Sequence, residues 1–327
     1  MSILDAAILV GQESTYNTAV ALTRAYEGKA DTFTRSQQRI ESVGFRADMQ
    51  TLRSDRVVTV NEGGSGSIEI DAMDGGLGLL MQGCLGTSAG PVQQAATAAY
   101  LQTYSTSDAA PGVSYTIQVL RPTLETGSSA FTYTGCTITG WSLTQSTDGL
   151  LTITYDFDFA NSVHNITAGT PAYPASTTPY DWTDCVVTLD PDGTPETLDA
   201  LDFSLNFGLG LKVDRRYLRG SEIKKEPVRN GIPTYDGSIA IDFTGTTRYD
   251  EWTSGTIVDL EVKWTGAEIE SPYNNEITLR MQAINWTDAA PVVSLSDTPR
   301  QVLPFRILHD GTNPACTLTY QSADTAV

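Results

Sequence analysis

Hydrophobic and polar residues alternate with a period of two through much of the chain, the pattern of strands with one buried and one wetted face. Ile68 and Ile70 alternate with Glu69 and Asp71, and Tyr155, Phe157 and Phe159 with Asp156 and Asp158. The period recurs at Phe203, Leu205, Phe207 and Leu209, and at Ile239, Ile241 and Phe243. It appears again at Val258, Leu260, Val262 and Trp264, and at Ile277, Leu279 and Met281. Asp148-Gly149 and Asp192-Gly193 fall between such runs and supply turn residues. Two-faced strands joined by tight turns predict a mainly β protein, with antiparallel sheets packed as a sandwich or barrel.

Helical periodicity is confined to short stretches. Leu77, Leu80, Met81 and Cys84 share one face of a helix predicted over 74–84, with Asp74 placed to cap its start. Tyr249 and Trp252 mark a second over 247–254. The stretch from Pro91 to Tyr104 mixes helix-favouring alanines with strand formers and reads as strand from about Ala98 onward.

One hexapeptide nearly repeats. Gly66-Ser-Ile-Glu-Ile-Asp71 returns as Gly237-Ser-Ile-Ala-Ile-Asp242, and each copy follows an Arg-rich segment and precedes a predicted helix. The spacing suggests an internally duplicated unit, with a first β half over 1–160 (1–30 as an N-terminal arm) and a second over 182–327. Residues 161–181, rich in Thr, Pro and Ala, read as the connecting loop.

Composition narrows the function. The 327 residues carry a net charge of −19, which excludes a sequence-independent DNA clamp, because such clamps gain affinity by neutralising phosphates. No apolar run approaches the roughly 20 residues of a bilayer-spanning helix. The apolar start from Met1 to Val10 is interrupted by Asp5 and has no preceding Lys or Arg, so no secretion signal is expected. Cys84, Cys136, Cys185 and Cys316 lie far apart, unlike zinc or redox motifs, and read as buried reduced thiols.

Catalytic and ligand signals are weak. His164 and His309, the only histidines, sit in unselective loop settings for a Ser/His/Asp hydrolase. Carboxylate pairs of the glycosidase kind are too common in an acid-rich chain to carry information. Asp190-Pro-Asp192-Gly-Thr-Pro-Glu196 lacks the further ligands of a calcium loop and reads as a turn. Gly75, Gly76 and Gly78 lack the Gly-Lys-Ser/Thr that grips phosphate. Asn165-Ile-Thr167 and Asn285-Trp-Thr287 match the glycosylation triplet without a secretory context. No enzyme activity, metal or cofactor is expected. Basic residues instead cluster in two segments of an acidic chain, Arg35 to Arg56 and Lys212 to Arg229, which suits either solvated hairpins or contacts with acidic surfaces of further copies.

The ordered landmarks Val10-Gly-Gln-Glu13-Ser-Thr-Tyr16-Asn-Thr-Ala19, Arg39-Ile-Glu-Ser42, Gly66 to Asp71 running into Gly76-Leu-Gly-Leu-Leu80, and Leu85-Gly86 resemble the tail tube (major tail) proteins of long-tailed bacteriophages. Tyr133-Thr-Gly-Cys136-Thr-Ile-Thr-Gly-Trp141 and Asp236 to Phe243, followed by Tyr249 to Trp252, continue the resemblance. It implies a structural virion protein with a β-sandwich and a flanking helix. Its copies would form rings of six tube folds, from six chains or from three duplicated ones, that stack into a hollow tail conducting the genome at ejection. It further implies assembly in the host cytoplasm and neighbours among the tape-measure, terminator and distal tail proteins. DNA would pass without specific binding, and no membrane is involved. Candidate lumen-lining residues are Glu69, Asp71, Asp156, Asp158 and Asp242. Candidate stacking residues are Arg46, Arg53, Arg56, Arg215, Arg216, Arg219, Lys224, Lys225 and Arg229. The competing reading is a β-sandwich sugar-binding adhesin or capsid decoration module, with Tyr173, Tyr180 and Trp182 as stacking aromatics.

Overall fold

The alternating runs become long antiparallel strands in a computed structural model, which describes residues 5–44, 46–124, 127–164, 166–292 and 298–327. The start at Met1 to Leu4 and Asn165 of the first glycosylation triplet lie outside the described residues. The first part holds β1 (Ala7–Gln12), β2 (Arg24–Tyr26), β3 (Gly28–Asp31), β4 (Thr34–Arg35), β5 (Gln38–Glu41), β6 (Val57–Asn61) and β7 (Gly64–Asp71). After α1 (Gly78–Met81) come β8 (Thr87–Gln93), β9 (Tyr100–Ser105), β10 (Tyr115–Thr123), β11 (Gly127–Ser146), β12 (Thr152–Phe159) and β13 (Asn161–His164). The second part holds β14 (Cys185–Leu189), β15 (Glu196–Leu198), β16 (Ala200–Gly208), β17 (Leu211–Lys212), β18 (Val228–Arg229) and β19 (Thr234–Asp242). After α2 (Thr247–Ser254) come β20 (Ile257–Glu270), β21 (Tyr273–Trp286), β22 (Pro291–Val292), β23 (Arg300–Ile307) and β24 (Thr317–Ser322).

The two parts pair their strands in the same order. β7 pairs with β12, β12 with the second half of β11, the first half of β11 with β10, and β10 with β1. Likewise β19 pairs with β23, β23 with the end of β21, β21 with β20, and β20 with β14. A bulge skips one residue between Gly28 and Ala30 opposite Ile70 and Glu69, and again between Ala200 and Asp202 opposite Ile241 and Ala240. Cross-strand hydroxyl pairs match too, Thr32 with Ser67 at 2.8 Å and Ser204 with Ser238 at 2.9 Å. The repeated glycine has a steric reason. A Cβ would lie 2.6 Å from the Phe33 backbone at Gly66, and 2.3 Å from the Phe305 ring at Gly237.

β11 then pairs with β16 from Gly140–Gly208 to Ser146–Asp202, so one sheet runs β4, β7, β12, β11, β16, β19, β23 across both parts. Its buried face carries Ile68, Ile70, Tyr155, Phe157, Trp141, Leu143, Leu205, Phe207, Ile239, Leu303 and Phe305. Each such side chain withdrawn from water contributes about 1.5–3 kcal/mol. Across the β11–β16 seam, Trp141 stacks on Phe207 with ring centroids 4.5 Å apart and planes 2° from parallel, a contact worth about 0.5–1.5 kcal/mol beyond its area. The parts also interleave elsewhere, since β9 of the first pairs with β24 of the second.

Several expectations are corrected. The helix over 74–84 shrinks to Gly78–Met81, and Asp74 does not cap it but accepts the Thr178 N–H at 2.8 Å. Gly76, at φ +86, cannot continue a right-handed helix, and closely spaced glycines disfavour one. α2 spans the predicted 247–254 and ends on Gly255 at φ +68, the left-handed stop that glycine favours. The connecting segment begins as β13, paired to β11, and its remainder is fastened to the first part. The Ala25 N–H donates to Ala172 O at 2.8 Å, and the Tyr180 N–H to Ala72 O at 3.0 Å. Three cysteines are buried, but Cys185 is only half-buried.

Candidate assembly surfaces

Because β-strand side chains alternate, the face opposite the core can be read off the registers. One row crosses six strands as Asp71, Thr152, Thr144, Ser204, Ser238 and Pro304, and the next as Glu69, Thr154, Ser142, Asn206, Asp236 and Arg306. Asp156 lies between Ser67 and Gly140, and Asp242 lies opposite Arg300. Small hydroxyl and amide side chains dominate this face. Its acids are Glu69, Asp71, Asp156, Asp202, Asp236 and Asp242, against Lys29, Arg300 and Arg306.

Four of the five acids expected to share a surface therefore do so. Glu69 and Asp71 face Lys29, with Lys29 Nζ 2.5 Å from Asp71 Oδ1 and 4.0 Å from Glu69 Oε1. Asp156 is exposed, and partial burial of its carboxyl raises its pKa above the ordinary value. Asp242 is exposed and accepts the Thr298 hydroxyl at 3.4 Å. Asp158 is the exception. It is buried against Lys224, which removes both residues from the surfaces expected of them. Asp202 and Asp236 were missed by sequence reasoning. The alternation around Phe203 and Ile239 already put them on the polar face, each next to a hydrophobic residue as Asp156 is.

The two basic segments emerge as long connections, 36–63 between β4 and β7 and 209–233 between β16 and β19. They therefore occupy equivalent positions in the two parts. Their chemistry differs. In the first, β5 pairs with β6 in a separate two-stranded sheet, and Ile40, Val43, Met49, Leu52 and Val58 are each more than half exposed. Arg46 and Arg56 are exposed, while Arg53 donates from Nε to Asp55 Oδ1 at 2.7 Å.

In the second, the arginines hold their own chain. Arg215 donates to Glu226 O at 2.6 Å, Arg216 to Glu222 O and Glu62 O at 2.7 Å each, and Arg219 to Ile223 O at 2.8 Å. Lys225 sits 5.4 Å from the Tyr217 ring centroid, and Arg229 donates to Ser107 O at 2.5 Å. The expected set of stacking cations is thus divided. Arg46 and Arg56 project outward, whereas most of the second cluster folds its own loop.

Among the described residues the rival candidates lie apart. Tyr180 is fully buried, and Tyr173 and Trp182 line different cavities, so the three do not make a stacking platform. Nδ1 of exposed His309 accepts the Gly311 N–H at 2.8 Å within its own turn, and His164 stacks beside Phe131. Among the described residues no group of three potential ligands could hold a metal ion.

No curated protein matches the chain in sequence. The family model for phage tail tube proteins matches residues 4–306, nearly the whole length, and it agrees with a mainly β chain of large antiparallel sheets. The chain belongs to the phage tail tube protein family, and is a structural component of the virion tail.

Proposed function

We propose that the two parts of this chain are copies of one tube fold, and that three chains close into a ring of six such folds. Stacked rings then form the hollow conduit through which the genome leaves the virion. The carrying observation is the seven-strand sheet, which crosses from one part to the other without interruption and presents one continuous polar face. Repeating that junction between chains adds strands at both margins and closes the sheet on itself, which removes its exposed edges.

The polar face becomes the lumen. Duplex DNA bears about one negative charge per 1.7 Å of axis, so a wall with more acids than bases gives it few counterion-release sites and leaves it hydrated. Ser, Thr and Asn on the same wall hydrogen-bond water and offer no large apolar surface for bases to stack on. The connection 36–63, with its exposed apolar side chains, reaches the next ring. Neighbours at the tube's ends and inside it are the other tail proteins, and assembly takes place in the host cytoplasm.

The test is negative-stain microscopy with sedimentation of the purified protein at rising concentration. Hollow rings or tubes whose ring mass equals three chains are expected. Rings of six chains would reject the stoichiometry, and a chain that stays monomeric throughout would reject the reading.

A further inference from the structure

The margin that the second part leaves open repeats the one that the first part fills internally. Thr137–Asp158, Ile138–Phe157, Leu143–Ile153 and Thr144–Thr152 correspond to Asn285–Arg306, Trp286–Phe305, Pro291–Gln301 and Val292–Arg300, each displaced by 148 residues. At the other margin Gly28, Ala30 and Asp31 correspond to Ala200, Asp202 and Phe203, displaced by 172. Inside the chain Gly140 to Thr144 pair with Gly208 to Ser204. Residues 288–292 thus stand where 140–144 stand, and 32–36 where 204–208 stand. Among the described residues neither segment takes a strand on its outer side. Pro291 at this margin is only half-buried, whereas its counterpart Leu143 within the filled seam is fully buried.

We infer that residues 288–292 of one copy pair antiparallel with 32–36 of the next, in the register of the internal β11–β16 seam. Ala290 then lies opposite Thr34 and Val292 opposite Thr32 on the polar face. Pro291 meets Phe33 on the buried face, an apolar pair where the internal seam has Leu143 and Leu205. The occupant is a second copy of this chain because its own first part carries the complementary edge, with the same bulge as the strand that fills the internal seam. Pro291 has no N–H to give, so this seam makes fewer ladder bonds than the internal one, a common guard on an exposed strand edge.

The inference rests on the ring reading, and cysteine cross-linking separates the two. Ala290→Cys with Thr34→Cys places thiols across the seam within disulfide reach, whereas Val302→Cys with Thr34→Cys adds another strand spacing of about 4.8 Å. Tubes of the first variant, mildly oxidised, should yield covalent dimers and trimers at about ten times the level of the second. Val292→Cys with Thr32→Cys repeats the readout should the first pair fail to fold. Tubes that form without either cross-link would overturn this register and leave the ring standing. Wild-type protein that never self-associates would overturn both.

Discussion

Lys224 Nζ lies 2.5 Å from Asp158 Oδ1, with both side chains withdrawn from water, so the connection 209–233 of the second part is bolted to β12 of the first. Burial raises the Asp158 carboxyl above the ordinary range, with Lys224 pulling the other way. Desolvation therefore weighs more than attraction here, the usual balance for a buried pair. Asp158→Ala or Lys224→Met alone leaves a buried uncompensated charge and should cost about 3–5 kcal/mol. Asp158→Leu combined with Lys224→Met should recover most of that loss. Urea denaturation of dilute, unassembled subunits measures all three, and losses that simply add would show that the two residues are not coupled.

The unequal chemistry of the two connections yields a second prediction. Reversing Arg215, Arg216 and Arg219 removes donors to Glu226, Glu222, Glu62 and Ile223 carbonyls, so it should loosen the loop and lower subunit stability. Replacing Ile40, Val43, Met49 and Leu52 by Ser should leave the melting temperature nearly unchanged, since all four are exposed. Single rings should then replace tubes in electron micrographs. Full-length tubes from this second variant would remove the 36–63 connection from ring stacking.

Much of the sheet was legible because the polar face and the core face alternate residue by residue, as at Ile68 to Asp71 and Tyr155 to Phe159. The family resemblance agrees with the family match over residues 4–306. The burial of Asp158 was not legible. Its place in the alternation is that of a wetted residue, and only the return of a loop 66 residues later supplies its partner. The short α1 was misjudged for a related reason. Its apolar spacing is helical, but Gly78 to Met81 are buried all round, with Tyr115 donating to Leu79 O at 2.8 Å, so amphipathic periodicity does not set its length. Arginine clusters likewise revealed charge but not which carbonyls would consume it.

Reversing the sign of the polar face should change how the conduit treats nucleic acid. Glu69→Lys, Asp156→Lys and Asp242→Lys together turn three of its acids into cations without touching the core. Wild-type tubes should not retain short duplex DNA at low salt. The variant tubes should retain it, and lose it steeply as salt rises from about 50 to 200 mM, the signature of released counterions. Co-sedimentation with labelled duplex reads both behaviours. Equal retention by the two tubes would mean that this face does not line the passage.

The end of the 166–181 segment is held by Asp181, whose Oδ1 accepts the Thr183 N–H at 2.7 Å and the Thr183 hydroxyl at 2.6 Å. The Asp181 N–H donates in turn to Asp184 Oδ2 at 3.1 Å, completing a capping box on the short 3₁₀ turn that leads into β14. These bonds favour the charged carboxylate and lower its pKa below the ordinary value. A depressed pKa contributes its full stability while the group is ionised in both states, above about pH 4, and that contribution fades as pH falls from there through the lowered value. Asp181→Ala should therefore cost stability at pH 7, near the low end of the roughly 0.5–2 kcal/mol of an N-cap because solvent screens this site. The difference from wild type should shrink on acidification towards pH 3. Paired denaturation curves at the two pH values check it, and a deficit that persists in acid would assign the loss to packing of the turn instead of to the charged cap.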